Sequence, residues 1–355
     1  MLERGDTIGH TWAHLYDGLV LHTGKHFSAL PGLPFPSSAP LFPTRRDLLD
    51  YLFRYAEQFR VPVETQSLVE TAYRQNGGWI VTVKGREPLH ANAVVVASGI
   101  VSNPHVPDIP NRTLFKGQII HSVDYRRPEP FAHERVLVVG AGNSGGEIAA
   151  ELAAAGARVT VAIRSGVRVV PRQMMGIPIQ YFGLALQTLP QRLTRSAIAL
   201  TATASAMLRG PSPLPPPADS PCAKVPLIGF HLSDGVKEGR IHLRRGISAF
   251  TAGGVRFVDG VEEEFDCVIL ATGYRAAVGI LGSHVTVDRC GFAARVQQVV
   301  STDRPDLYFV GHNYDASGGL RNIARDARIA ARLIAGRLRD SGRTYTGRPR
   351  RTSER

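Results

Sequence analysis

The chain has 355 residues, of which 43% are hydrophobic and 20% charged, a balance that rules out global disorder and allows one large or two ordinary domains with sizeable cores. Its formal charge of +12 is uneven: from Arg337 to Arg355 seven arginines stand against Asp340 and Glu354, as expected of a solvated, disordered tail over 341–355. No aromatic or glycine interleaving accompanies the basic residues, which argues against a single-strand nucleic-acid binder.

The chain opens on MLERGDTIGHTW. A hydrophobic residue, then Glu3, then a turn cluster is the order found where a strand ends in a ribose-holding carboxylate, ~20 residues after a glycine-rich phosphate loop. No apolar h-region is visible, so no secretory signal is expected. From Pro31 to Pro43 (PGLPFPSSAPLFP) the proline density excludes helix and central strand and predicts an extended crossing. Thr44 then caps a helix, RRDLLDYLFRYAEQF, in which Leu48, Leu49, Leu52, Tyr55, Ala56 and Phe59 recur at helical spacing. Strands are predicted in VETQSLVETAYRQ, in WIVTVKG after the Asn76-Gly77-Gly78 turn, and in HANAVVVASG. FKGQIIHSVDY, read on its residues alone, is an extended linker with Gly117 for close approach and a buried His121.

VLVVG, AGNSGGEIAAELAAAG and ARVTVAIR read as strand, helix and strand, the βαβ crossover of a parallel sheet. A helical stretch follows from about Ile179 to Leu208. Its uncharged run, Ser196 to Leu208, has 13 residues and falls short of the ~20 needed to span a bilayer. PSPLPPPADSP is a loop, and short strands with turns at Gly253-Gly254 and Asp259-Gly260 lead to CVILATGY. The chain closes with the strand LYFVG and a helix from about Leu320 to Leu338. Cys222, Cys267 and Cys290 are odd in number and widely spaced, which predicts neither a disulfide framework nor a CxxC or zinc site, and fits a reducing cytoplasm. AVVVASGI (Ala93 to Ile100) echoes CVILATGY (Cys267 to Tyr274), and the two bracket the βαβ unit, which implies an inserted domain.

GAGNSG, Gly140 to Gly145, fits GxGxxG directly after a strand and before a helix. Gly140 permits the turn, Gly142 lets a pyrophosphate reach the backbone, and Gly145 lets the helix pack on the strand. Asn143 and Ser144 open the helix whose N-H groups and dipole attract phosphate. Arg164 stands at the end of the next strand, where an acidic residue would hold a ribose 2′-OH, so NADPH is favoured over NADH. Arg172 is near enough in sequence to assist. Arg168 is equally readable as a solvated surface charge.

Phe115, Gly117, His121 and Tyr125 form the pattern F-x-G-x-x-x-H-x-x-x-Y, which resembles the fingerprint of flavin-containing monooxygenases. LHTGKHF, VVPRQMMG, VILATGY and LYFVGH are similar to the YUCCA-type and related bacterial members. The resemblance implies an α/β fold of two dinucleotide-binding, Rossmann-like domains: an FAD domain over 1–127 and 274–340, and an inserted NADP domain over 128–273. It also implies a strand and glycine loop for the FAD pyrophosphate about 25 to 30 residues before Glu3, so the FAD domain is expected to lack its first strand and loop. Glu3, Gly9 and Trp12 would lie along the FAD, and Thr272 and Gly273 at the cofactor-facing end of their strand. The helix after Gly318 and Gly319 would approach the flavin, or else only close the fold. His22 takes the place where YUCCA-type members have His beside the flavin, and is otherwise a satisfied core histidine. Lys25 would anchor substrate or nicotinamide, or is a surface charge.

The implied chemistry is that NADPH reduces FAD and reduced FAD with O2 forms a C4a-(hydro)peroxyflavin. That species oxygenates a small organic substrate, by oxidative decarboxylation of a 2-oxo acid such as indole-3-pyruvate or by N- or S-oxygenation. The alternatives are a truncated NADP-binding protein without oxygenase activity and an FAD-dependent NADPH reductase.

Overall fold

The computed structural model describes residues 1–187, 209–217, 225–313, 315 and 318–340. Leu2 bridges Glu64 in parallel, and the short helix His10–Ala13 follows. The proline-rich crossing runs without helix or strand to Thr44, which caps helix α1 (Arg45–Gln58). The Thr44 hydroxyl accepts from the Asp47 amide, and the Asp47 carboxylate accepts from the Thr44 amide at 2.9 Å, a reciprocal capping box. The crossing is pinned to α1 by Tyr51, whose hydroxyl accepts from Leu30 N and donates to Leu33 O, both at 2.7 Å, while Phe35 stacks on its ring.

Strands β1 (Val69–Gln75), β2 (Gly78–Val83) and β3 (Leu89–Ala91) form an antiparallel meander, and β4 (Val94–Val96) follows. HANAVVVASG is therefore two strands rather than one, because Asn92 and Ala93 turn the chain from the meander into a different sheet. Next come β5 (Gln118–His121), β6 (Arg135–Val139), helix α2 (Asn143–Ala154) and β7 (Arg158–Ile163). Beyond the helix Ile179–Gln187 the predicted helical stretch lies outside the described residues, as does the tail 341–355. The chain resumes with β8 (Ile241–Arg245), a small antiparallel sheet, β9 (Cys267–Leu270), β10 (Leu307–Phe309) and helix α3 (Gly319–Asp340).

A five-stranded parallel sheet of order β8-β7-β6-β9-β5 carries the βαβ unit. Its central strands are buried on both faces, with Val136, Leu137, Val138, Cys267, Val268 and Ile269 all at 0% exposure, which is why they read as unbroken apolar runs. β5 is the edge strand of this sheet, although it precedes the boundary expected at 127. In the second sheet β10 pairs in parallel with β4. Among the described residues the other edge of β4 has no strand partner, and Val95 is 44% exposed.

The segments leaving β4 and β9 run side by side between the two sheets. His105 N donates to Gly273 O at 2.9 Å, Arg275 N to Asn103 O at 3.0 Å and Ala277 N to Gly99 O at 3.0 Å. Ser98 Oγ donates to Ala277 O at 2.6 Å, and Asn103 Nδ2 to Ala276 O at 3.1 Å. The cysteines depart from expectation. Cys267 is free, and burial pushes its thiol up to about 12, but Cys290 is disulfide-bonded. Cys222 lies outside the described residues. No helix among the described residues is long and apolar enough to cross a membrane.

Candidate cofactor and active site

The turn from β6 into α2 is built by three glycines with different duties. Gly140 has φ +110, and a Cβ there would lie 2.4 Å from Ala271 O. A Cβ on Gly145 would lie 2.1 Å from Gly140 O, so both positions exclude a side chain on internal grounds. Gly142 is the opposite case: its φ is −71, it is exposed, and nothing lies within 4 Å of a Cβ built on it. Its open face and the uncapped N-terminus of α2 leave backbone donors for a dinucleotide pyrophosphate, so the loop fits the NADPH expected there.

Asn143 is turned inward. Its side chain donates to Pro226 O and accepts from Ile228 N, which ties the chain after residue 225 to the loop. Ser144 is partly exposed in the first turn. Arg164 is exposed at the end of β7 and shares its neighbourhood with Arg275 and His105: burial lowers the His105 pKa, and the charges of both arginines lower it further. Thr272 Oγ1 donates to His105 O at 2.5 Å, and Gly273, at φ +86, accepts from His105 N. These two residues therefore fasten the 105 segment beside the arginines.

Arg172 goes elsewhere. Its guanidinium pairs with Glu147 of α2 at 3.1 Å and lies over Phe42, 5.6 Å from the ring centroid. Lys25 also has a scaffold contact set, since its ammonium donates to Ser37 O at 2.9 Å and Ala39 O at 2.7 Å in the proline-rich crossing. Of the fingerprint residues, His121 sits edge-on to Tyr274, 5.1 Å between centroids, and accepts from Val123 N through Nδ1. Tyr125 donates to Glu151 of α2 at 2.9 Å. Gly117 is required because a Cβ would meet Phe115 at 2.4 Å and Asp266 O at 2.6 Å.

On the other side Glu3 accepts from Gly5 N at 2.8 Å, which closes the turn after Leu2. Gly9, at φ +73, precedes His10–Ala13, and Trp12 packs on the main core. Gly318 has φ +107, and a Cβ there would be 2.7 Å from Thr23 Cγ2, so the N-terminus of α3 and the His22-Thr23 segment touch. Gly319 is open. The structure thus brings His22, Gly318 and α2 together. The fit to FAD is partial: Glu3 and the start of α3 are in place, but among the described residues no second strand-to-helix glycine turn like Gly140–Gly145 adjoins them.

The group that reasoning from sequence missed is Glu147. Its side chain is 14% exposed. Oε1 accepts from His22 Nε2 at 2.7 Å and from Arg172, and Oε2 accepts from the Tyr16 hydroxyl at 2.5 Å. Burial pushes this carboxyl up, but the His22 and Tyr16 hydrogen bonds and the Arg172 charge outweigh it and hold the group below its ordinary value. Glu151, one turn on, is raised, by burial and by the charges of Glu129, Glu147 and Asp17. The visible signal was two carboxylates at i and i+4 on a helix otherwise made of small and apolar residues.

The family model described as flavin-binding monooxygenase-like matches residues 5–337. The indole-3-pyruvate monooxygenase YUCCA1 of Oryza sativa subsp. japonica is 38% identical over 290 residues, covering 78% of this chain and 71% of that protein. YUCCA4 of the same plant, also an indole-3-pyruvate monooxygenase, is 33% identical over 373 residues, covering 96% and 83%. A flavin-containing monooxygenase from Stenotrophomonas maltophilia shares the fold, with a TM-score of 0.72 at 23% identity over 92% of this chain and 88% of that one.

Proposed function

Because the chain belongs to the flavin-binding monooxygenase-like family, NADPH-dependent flavin enzymes, we propose that it oxygenates a small 2-oxo acid of the indole-3-pyruvate type with oxidative decarboxylation. The single observation that carries the substrate class is His22, an imidazole held where α2, the start of α3 and the N-terminal segment meet. The two rice relatives named above act on indole-3-pyruvate, which supports the same class here. The domain division we propose is 1–127 with 274–340 for FAD and 128–273 for NADPH, β5 being lent to the NADPH sheet.

In this reading the Gly142 amide and the first turn of α2 hold the NADPH pyrophosphate. Arg164, with Arg275 beside it, takes the 2′-phosphate. When bound, the flavin supplies hydride acceptance and oxygen activation. The protein contributes position and exclusion of water: His22 offers a ring nitrogen on the flavin side, and Gly318 lets α3 come close to it.

The test is turnover of the full chain with NADPH, FAD, O2 and indole-3-pyruvate. The expected result is one O2 consumed and one CO2 released per NADPH, with the one-carbon-shorter acid as product. N- or S-oxides formed from amines or sulfides, with no decarboxylation, would overturn the substrate class. NADPH oxidation without O2 uptake would make it a reductase, and NADPH binding without any oxidation a binding protein.

A further inference from the structure

Glu147 of α2 receives its partners from two separate parts of the chain: Tyr16 and His22 between the helix His10–Ala13 and α1, and Arg172 after β7. An ionised carboxylate only accepts hydrogen bonds, so the contact at 2.7 Å requires that Nε2 of His22 carry the proton. Nδ1 is then the ring nitrogen left for a ligand. The main chain of the same residue is held separately, its carbonyl accepting from Gln180 Nε2 at 2.9 Å. Glu151 has a simpler duty: its carboxyl accepts from Tyr125 and is pushed by burial toward the neutral form.

We infer that Glu147 is a positioning residue for His22: it clasps the imidazole to α2, so that the helix on which the pyrophosphate docks also sets the orientation of the histidine on the flavin side. The inference rests on the role given to His22 above. Glu147 sits in the second turn of α2, five residues after the open Gly142. A displacement of α2 on cofactor binding therefore reaches His22 through one side chain. An acid that served only to balance Arg172 would need its charge and not its reach, whereas a clasp needs an acceptor oxygen at the Oε1 position, which E147Q keeps and E147D withdraws.

The test uses the full chain and four variants: H22N for assignment, E147L, E147D and E147Q. In proton NMR without cofactor or substrate, wild type should show a downfield imidazole N-H resonance that H22N lacks. E147L should abolish it, and E147D should too, because shortening the side chain withdraws the carboxylate by ~1.5 Å. E147Q, whose amide oxygen can replace Oε1, should retain it. In turnover, E147L and E147D should lose about 10- to 100-fold in kcat with KM for NADPH within about threefold, and E147Q should recover most of the loss. If E147L fails to fold, E147D decides. A resonance that survives in folded E147D, or a loss in E147D that falls on KM instead of kcat, overturns the proposal. Since the NMR arm needs no turnover, a wild type that shows the resonance but makes no decarboxylated product would count against the proposed function and not against the clasp.

Discussion

Replacing Gly142 by alanine separates the folding role of the glycine loop from its binding role. At Gly142 the backbone already has φ −71, and no atom lies within 4 Å of the new Cβ, so the fold should tolerate it; stability is expected to change by less than about 0.5 kcal/mol. The methyl group instead occupies the space through which the pyrophosphate meets the backbone. NADPH affinity should fall at least ~10-fold, which is about 1.4 kcal/mol. Gly140→Ala is the contrast, because it combines φ +110 with a Cβ 2.4 Å from Ala271 O. Backbone strain of about 1–3 kcal/mol and overpacking of about 1–3 kcal/mol sum to about 2–6 kcal/mol, or a fall in Tm of roughly 5–20 °C. Differential scanning calorimetry and NADPH titration of both variants suffice. A Gly142→Ala protein that melts as early as Gly140→Ala, or binds NADPH like wild type, would refute the assignment of this loop to the cofactor.

Arg164→Ala should raise the Kd for NADPH by about 10- to 100-fold and leave that for NADH within twofold, because a charge-assisted contact to the 2′-phosphate is worth about 1.5–3 kcal/mol; equal losses for both nucleotides would count against it. His312 is 1% exposed, its ring nitrogens have no partner among the described residues, and burial pushes it from 6.5 down to about 4. The unfolded chain then takes up the proton first, so stability falls as pH drops from about 6.5 toward 4. His312→Leu should remove about 2 kcal/mol of the loss between pH 7 and pH 4.5 in urea titrations, and an unchanged acid slope would exclude His312 as its source. Thr44→Ala should cost about 1 kcal/mol through the lost capping box, read from chemical denaturation; no change would mean that Asp47 alone suffices.

The elements that sequence reasoning placed correctly are those whose cause is local. β6, the glycine turn and α2 follow from a buried β-branched run, three glycines and a helical repeat within twenty residues of each other. Thr44 with Asp47 is likewise a matter of three positions. The echo of AVVVASGI in CVILATGY carried tertiary information, since β4 and β9 do lead the chain between the two sheets. What could not be read was pairing at long range. His22 and Glu147 are 125 positions apart, and no periodicity links them. Arg172 looked like a phosphate ligand because it follows β7, yet the chain after β7 turns back to α2, where a buried carboxylate requires a cation. β5 looked like a linker because an edge strand of four residues has too little pattern to announce its sheet.

The paired segments 98–105 and 273–277 give the inserted unit an entrance and an exit at the same place, laced together by main-chain hydrogen bonds. Two connections fastened to each other resist twisting in a way one linker cannot. The unit's ends already meet, yet the packing does not stop at that seam: Leu15, Tyr16 and Tyr51 share one hydrophobic cluster with Val136, Ile148 and Ile269, so the short crossing joins parts that are already fused through their side chains.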